Sequence, residues 1–156
     1  MKKIVIGIDP GASGGLCIFY PDGKKIAYGA KKEKSYSEIL KEVSEYAKVE
    51  GYEICAYLEQ LSGFQRGRFQ MMSRQAFVMG TSYGKIIGAM EALSIPFWTI
   101  TPQRWQKSLP LHKTENQTDY KRQLSNLAKQ RYPQLKPTLQ TCDAILIAEY
   151  GNTQCN

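Results

Sequence analysis

The sequence predicts an α/β protein in which helices flank a single mixed sheet. Three features indicate this fold class: three strand-like runs near the N-terminus, two later apolar runs that alternate with helical patterns, and an apolar helical stretch near the C-terminus. The 156 residues suffice for one domain but not for two. We therefore predict one domain over residues 1–156, with an antiparallel three-strand meander followed by parallel strands.

The first three strands follow from β-branched residues and turn signals. Residues 4–9 form an apolar run that ends at a Pro-Gly pair, residues 15–20 form a second run, and residues 24–30 form a third. The sequence Pro-Asp-Gly at 21–23 separates the last two and is a strong turn signal. Short connections of this kind join antiparallel neighbours, so the three strands are expected to form a meander.

Helices and strands alternate through the rest of the chain. A helix is predicted to begin at Ser37, a favoured N-cap residue, and to end at Gly51, a favoured C-cap residue. The later segments show either apolar runs of strand length or apolar residues at helical spacing. They predict, in chain order, a strand at 54–58, a helix at 72–93, a strand at 96–100, a helix at 120–131 and a last helix at 139–150.

The positive charge is concentrated in one part of the chain. The net charge is +7, and residues 61–137 hold twelve Lys and Arg against three Asp and Glu, a net of +9. The remaining residues hold nine basic and eleven acidic groups, a net of −2. Such asymmetry within one small domain indicates a polyanionic partner. A basic surface that only maintains solubility is the alternative explanation.

Several classes of protein are excluded by composition. No apolar run approaches the roughly 18 residues that a membrane span requires, and the first residues do not resemble a signal peptide. Cys17, Cys55, Cys142 and Cys155 show no metal-binding spacing, and the first three lie in apolar stretches, so we predict free thiols rather than zinc ligands or disulfides. This pattern suits a reducing cytoplasm, and the composition suggests a bacterial or phage protein.

Three acidic residues fall at positions where burial is expected. Asp9 ends the first strand, and Glu59 directly follows the fourth. Asp143 lies in the last predicted helix with Leu139, Leu146, Ile147 and Tyr150 on the same face, which should contact the sheet. Burial of one unpaired carboxylate is costly, so a cluster of three requires cations. Taken singly, Asp9 is also explained as a turn residue, and Glu59 as a surface residue at a strand end.

Carboxylates without His or Cys are typical of a magnesium or manganese site. Hard oxygen ligands favour Mg²⁺, with Mn²⁺ as a substitute, over zinc. If the first and fourth strands are neighbours, Asp9 and Glu59 project from adjacent strand ends, and Asp143 completes the cluster from the helix. Two ions about 4 Å apart would activate a water and stabilise the leaving oxygen of a phosphodiester.

Several motifs together resemble the RuvC-type Holliday-junction resolvases of the RNase H-like superfamily. The first motif is Gly7-Ile8-Asp9-Pro10-Gly11 with Ser13-Gly14-Gly15, the second is Leu58-Glu59-Gln60, and the third runs from Asp143 to Ala148. Ile95-Pro96-Phe97, Pro102 and Trp105 agree as landmarks between them. The segment Lys121 to Ser125, followed by Ala128 and Tyr132-Pro133, is most similar to the phage and chloroplast branch. The resemblance covers nearly the whole chain. The order and spacing of the motifs are together more specific than any one motif.

The resemblance implies a function and a set of residues. Such resolvases are homodimers that bind a four-way junction and place symmetric nicks in two strands, in DNA recombination and repair. By resemblance, Asp9, Glu59 and Asp143 are the metal ligands, and Lys121, or else Lys113, assists at the scissile phosphate. One departure concerns the acid or His that the family usually carries shortly before the terminal acid. Gln140 stands in that stretch and offers only a neutral oxygen, so a second metal is expected to bind more weakly.

The basic part of the chain supplies candidate DNA contacts. Arg and Lys neutralise phosphates, and an apolar side chain inserted between bases holds distorted DNA open. The loop after Glu59 contributes the wedge candidates Phe64 and Phe69, although Phe69 is equally explained as an anchor to the core. The remaining predicted contacts are Gln65, Arg66, Arg68, Arg74, Lys107, Lys113 and Arg122.

The long second helix carries glycines at four-residue spacing. Gly80, Gly84 and Gly88 each cost about 1 kcal/mol of helix stability relative to alanine, so their recurrence requires an explanation. A smooth ridge lets another backbone approach, and we predict that this helix forms the dimer interface. Close packing against the chain's own sheet is the alternative.

Other functions remain compatible with parts of the pattern. A branched-DNA-binding protein that has lost catalysis would retain the basic surface but not depend on Asp9 for cleavage. A nuclease of the same fold acting on RNA–DNA hybrids is a third interpretation. A sugar kinase is disfavoured, because Asp9-x-Gly11-x-x-Gly14 alone is a weak phosphate-loop signal and the chain is too short for two lobes.

Overall fold

A computed structural model describes residues 2–30, 34–61, 73–112 and 116–155 of the chain. Its strands are β1 (Lys3–Asp9), β2 (Gly15–Phe19), β3 (Lys25–Gly29), β4 (Glu53–Glu59) and β5 (Phe97–Ile100). Its helices are α1 (Tyr36–Glu50), α2 (Ser73–Ala92), α3 (Pro102–Gln106), α4 (Gln117–Arg131) and α5 (Cys142–Gln154), with a 3₁₀ turn at Pro133–Leu135 before α5. No helix within these ranges is long and apolar enough to cross a membrane.

The described strands form one mixed sheet in the order β3-β2-β1-β4-β5. β1, β2 and β3 pair antiparallel, as the short turns between them predict. β4 and β5 are parallel to β1, because helices connect them back to the same end of the sheet. The predicted fold class, a meander followed by parallel strands with flanking helices, is confirmed.

Helices cover both faces of the sheet and enclose two apolar layers. Successive strand residues face opposite sides, and in β1 Ile4, Ile6 and Ile8 pack with α1 and α2. Val5 faces the other side, where it packs with α4 and α5. Cys17, Cys55 and Cys142 are buried free thiols, which confirms their prediction as small core residues.

The structure corrects two predicted boundaries and adds one helix. The N-cap of α1 is Ser35, not Ser37. The Ser35 hydroxyl and Glu38 form a reciprocal capping box, and Ser37 already lies inside the helix. The last helix begins at Cys142, so Leu139 lies in the preceding turn and is 62% exposed instead of sharing the buried face of Asp143. The short helix α3 was not predicted, although Thr101 caps it and Pro102 occupies its first turn.

Gly7 sets how closely α5 approaches the sheet. A methyl group on Gly7 would lie 2.3 Å from the carbonyl oxygen of Ala144 and 2.3 Å from the amide nitrogen of Ala148. Both atoms belong to the backbone of α5, so neither can move without displacing the helix. The close packing of α5 on β1 therefore requires glycine at this position.

We expect Gly7→Ala to destabilise the protein by about 3 kcal/mol or more, because overpacking against a rigid backbone cannot relax cheaply. Urea unfolding followed by circular dichroism measures the loss. Val49→Ala on α1 is the control, since Val49 is 83% exposed. That change should alter stability by less than about 1 kcal/mol, through helix propensity alone. Equal stability of the two variants would contradict the packing argument.

Candidate active site at the ends of β1 and β4

Asp9 ends β1 on the face of the sheet that α5 covers. It lies four residues after Val5, which packs in the α4–α5 layer, and alternate residues share a face. The loop that follows encloses the carboxylate: the backbone N–H of Gly11 donates to Asp9 Oδ1 at 3.1 Å. A methyl group on Gly14 would lie 2.2 Å from the Asp9 carbonyl oxygen, so this loop needs glycine there. The backbone thus fixes the position of the acid.

Glu59 ends the neighbouring strand at the same edge. β1 and β4 run parallel with Ile8 beside Leu58, so the residues that follow, Asp9 and Glu59, leave adjacent strand ends. Tyr57 lies two residues earlier and packs in the α4–α5 layer, which places Glu59 on the same face as Asp9. The predicted adjacency of these two acids is therefore present in the sheet.

Asp143 reaches this edge from the first turn of α5. Asp143 is only 9% exposed. Its Oδ2 forms an ion pair with the ammonium of Lys121 on α4, and its Oδ1 accepts a hydrogen bond from the thiol of Cys142 at 3.4 Å. The site thus brings together the three acids and the lysine that the sequence singled out.

The acids repel one another and lie in a poorly solvated position. Burial, and then the charge of Asp9, raises the pKa of Glu59 from its ordinary value of 4.5 to about 7. Burial likewise raises the pKa of Asp9, with a further contribution from Asp143. Burial alone would lower the pKa of Lys121, but Asp143 outweighs it and the pKa is raised. Excess negative charge at this edge thus favours a bound cation.

The oxygens at this edge have the chemistry that a hard divalent cation requires. Within the described residues, one oxygen of Asp9 accepts a hydrogen bond from Gly11 and one oxygen of Glu59 accepts one from Trp105, and the second oxygen of each accepts none. Among these residues no group of three or more His, Cys, Asp or Glu side chains is arranged to hold a metal ion. Lys121 is the cation that neutralises Asp143 here.

Gln140 lies at this end of the fold but is directed elsewhere. A methyl group on Gly29 would meet Gln140 Oε1 at 2.7 Å, so the amide lies beside β3. Gly29 is paired with Gly15, which is paired with Asp9, so two strand spacings separate Gly29 from Asp9 in the sheet. In this arrangement Gln140 contacts the meander rather than the acids. Its role as a metal ligand stays a prediction.

The predicted DNA-binding residues fall into two groups. Arg74, Lys107 and Arg122 are exposed, and Arg122 forms a 3.4 Å ion pair with Asp119 one turn away. Six others lie outside the described residues: Phe64, Gln65, Arg66, Arg68, Phe69 and Lys113.

Two contributors to the site were not predicted from the sequence as site residues. Trp105 donates its indole N–H to Glu59 Oε1 at 3.0 Å, and the Tyr36 hydroxyl donates to the Asp9 carbonyl oxygen at 3.4 Å. Trp105 was recognised only as a landmark of the resemblance. Its apolar partners come from distant elements, so no local periodicity identifies it.

Without a divalent cation, we expect stability to fall as pH rises from 5 to 8. Because its folded-state pKa is raised, Glu59 stabilises the fold while protonated, and this contribution is lost as pH rises through about 7. In chelator, Glu59→Gln should therefore be more stable than wild type at pH 8 by on the order of 2 kcal/mol, and the difference should shrink at pH 5. Urea unfolding at both values measures it.

The control for this measurement is Glu45→Gln, since Glu45 is exposed and its ion pair with Lys41 lies on the surface of α1. This variant should follow the wild-type pH dependence. Addition of Mg²⁺ at pH 8 should stabilise wild type more than Glu59→Gln. If Glu59→Gln showed the full wild-type pH dependence, burial of Glu59 would not be the source of the instability.

Comparison with known proteins identifies the fold. A structure of Thermus thermophilus RuvC in complex with Holliday junction substrate matches with a TM-score of 0.57 and 16% identity, covering 98% of this chain and 94% of that one. A second Thermus thermophilus RuvC structure matches with a TM-score of 0.52 and 17% identity, covering 97% and 95%. No family model and no curated protein sequence matches the chain. At this identity the likeness concerns architecture, and the chain has the RNase H-like fold of RuvC.

Proposed function

We propose that this protein is a metal-dependent endonuclease that resolves Holliday junctions by paired nicks. The observation that carries the proposal is the convergence of Asp9, Glu59 and Asp143 at one edge of a sheet with the fold of RuvC. One matched RuvC structure is a complex with Holliday junction substrate, and the net charge of +7 here suits a DNA partner.

The three acids would hold the divalent cations. Bound Mg²⁺ would activate the attacking water and stabilise the leaving oxygen of the phosphodiester. Asp9 and Glu59 each have one oxygen held by a protein donor and another available. Asp143 is now neutralised by Lys121. A cation bound at Asp143 would release that ammonium to contact the scissile phosphate, which is the role we assign to Lys121.

The neutral residue at position 140 bears on how strongly a second cation binds. Gln140 contributes no charge and its amide lies beside Gly29 in this structure. The carboxylates of Asp9, Glu59 and Asp143 would then have to bind the cations without a fourth acid. A protein that binds junctions without cutting them is the competing function, and the nicking experiment below separates the two.

Exposed cations near the acidic edge would position the DNA backbone. Lys107 follows α3, and Arg122 lies beside Lys121 on α4, so both belong to the elements that position Glu59 and Asp143. Arg74 lies in the first turn of α2. Phosphate contacts of this kind orient the substrate without reading its sequence.

We further propose that α2 pairs with a second copy of this chain. Methyl groups on Gly80, Gly84 and Gly88 would meet no atom of the described residues within 4 Å, so packing against that part of the chain does not explain these glycines. The helix also leaves Phe77 75% exposed and Val78 54% exposed. A dimer would place two acidic sites on one junction, as paired nicking requires.

The decisive test of the function is nicking of a synthetic four-way junction beside linear duplex. With Mg²⁺ or Mn²⁺, wild type should nick the junction in paired, symmetric positions, and chelator should stop it. Asp9→Asn should reduce the rate at least about 100-fold, because a ligand charge is lost, while retaining binding. Glu45→Gln is the control and should cut normally. Tight junction binding by wild type without cutting in either metal would establish the competing function.

The dimer is tested by light scattering at micromolar concentration. Gly84→Gln should convert a wild-type dimer to monomer, because the added side chain separates the two helices. Glutamine favours helix over glycine, so the substituted monomer should be no less stable. Glu45→Gln on α1 should remain dimeric. A wild-type monomer at this concentration would refute the proposed interface.

A further inference from the structure

Trp105 is a fully buried residue whose one polar atom contacts an acid of the candidate site. Its exposed fraction is 0%. Its indole Nε1–H donates to Glu59 Oε1 at 3.0 Å. The chain contains only one other tryptophan, Trp98, which is 50% exposed and stacks on Tyr57 with ring centroids 5.5 Å apart.

The fold holds the indole rigidly beside Glu59. Ile100 of β5 is paired with Glu59 of β4, so the chain leaves the sheet directly beside the acid. Thr101 then caps α3 by accepting the backbone N–H of Arg104 at 3.3 Å. Trp105 is in this helix, and its ring packs in the core layer formed with α4 and α5. The position of the Trp105 indole N–H is therefore determined by the pairing of β5 with β4 and by core packing.

The hydrogen bond distinguishes the two oxygens of Glu59. A buried indole N–H needs an acceptor, and a backbone carbonyl would satisfy it equally well. Here the acceptor is a carboxylate at the edge where the acids converge. Oε1 is committed to Trp105, and among the described residues Oε2 accepts no hydrogen bond. Oε2 is thus the oxygen of Glu59 that remains available to a cation.

We propose that Trp105 is a positioning residue that makes Glu59 a one-oxygen ligand for the divalent cation. The inference rests on the proposed metal-dependent function. In known metal sites, removal of a hydrogen bond that supports a metal ligand lowers metal affinity or activity about 10- to 100-fold. Because the indole touches the ligand, its own signals should also respond when the cation binds.

The experiment compares Trp105→Phe with Trp98→Phe in the full-length chain. Phenylalanine retains an aromatic ring at either position but has no N–H donor. Mg²⁺ affinity is measured by titration calorimetry. In ¹⁵N-labelled protein, Trp98→Phe leaves one indole N–H signal, which belongs to Trp105, and this signal is followed during the Mg²⁺ titration.

Trp105→Phe should weaken Mg²⁺ binding about 10- to 100-fold, while Trp98→Phe should bind like wild type. The Trp105 indole signal should shift as Mg²⁺ binds and should not shift after Glu59→Gln. The indole measurement does not depend on Trp105→Phe being folded. The inference would be overturned if the Trp105 indole signal did not shift on addition of Mg²⁺, or if folded Trp105→Phe bound Mg²⁺ with unchanged affinity.

Junction nicking by wild type separates this inference from the function on which it rests. If the indole shift and the affinity loss occur but junctions are not cut, the positioning role stands and the resolvase function is wrong. If junctions are cut at the same rate by Trp105→Phe and Trp98→Phe with equal Mg²⁺ requirements, the function stands and the positioning role is wrong.

Discussion

The mutual repulsion of three carboxylates at one sheet edge is the constraint on which the rest of the structure depends. Asp9 and Glu59 are close because β1 and β4 are parallel neighbours, and Asp143 is added by a helix packed on the same face. Burial raises the pKa of both strand acids, and the Lys121 ammonium offsets only part of the charge. Such an arrangement is unfavourable by itself, so the surrounding packing must maintain it.

The packing does so through close backbone approaches that a side chain larger than glycine would prevent. α5 lies directly on β1 at Gly7, and the turn before α5 lies close to Gly15 of β2, where a methyl group would be 2.8 Å from the Gln140 carbonyl oxygen. Nearly the whole of α5 between Cys142 and Ala148 is buried. Asp143 is therefore placed by packed elements, whereas Arg74, Lys107 and Arg122, the predicted DNA contacts within the described residues, lie at exposed positions.

The sequence predicted what depends on local pattern and on strand order. Asp9 and Glu59 follow apolar strand runs, and parallel pairing of those strands suffices to bring them together. Asp143 was placed correctly on the sheet-facing side, even though the helix begins later than predicted and Leu139 is exposed. The direction of Gln140 and the contact of Trp105 with Glu59 were not predictable, because each depends on side chains brought together by tertiary packing.

In the proposed function, the charges at the site would link cation binding to DNA binding. Asp9, Glu59 and Asp143 carry three negative charges when ionised and Lys121 carries one positive charge, which leaves −2, the amount that one divalent cation balances. A second divalent cation would leave the site positively charged unless a phosphate enters with it. With two divalent cations, a fourth acid would lower the net charge of the site from +2 to +1, but position 140 holds a neutral glutamine. In the proposed nuclease, charge balance would therefore favour entry of the second cation together with the substrate phosphate.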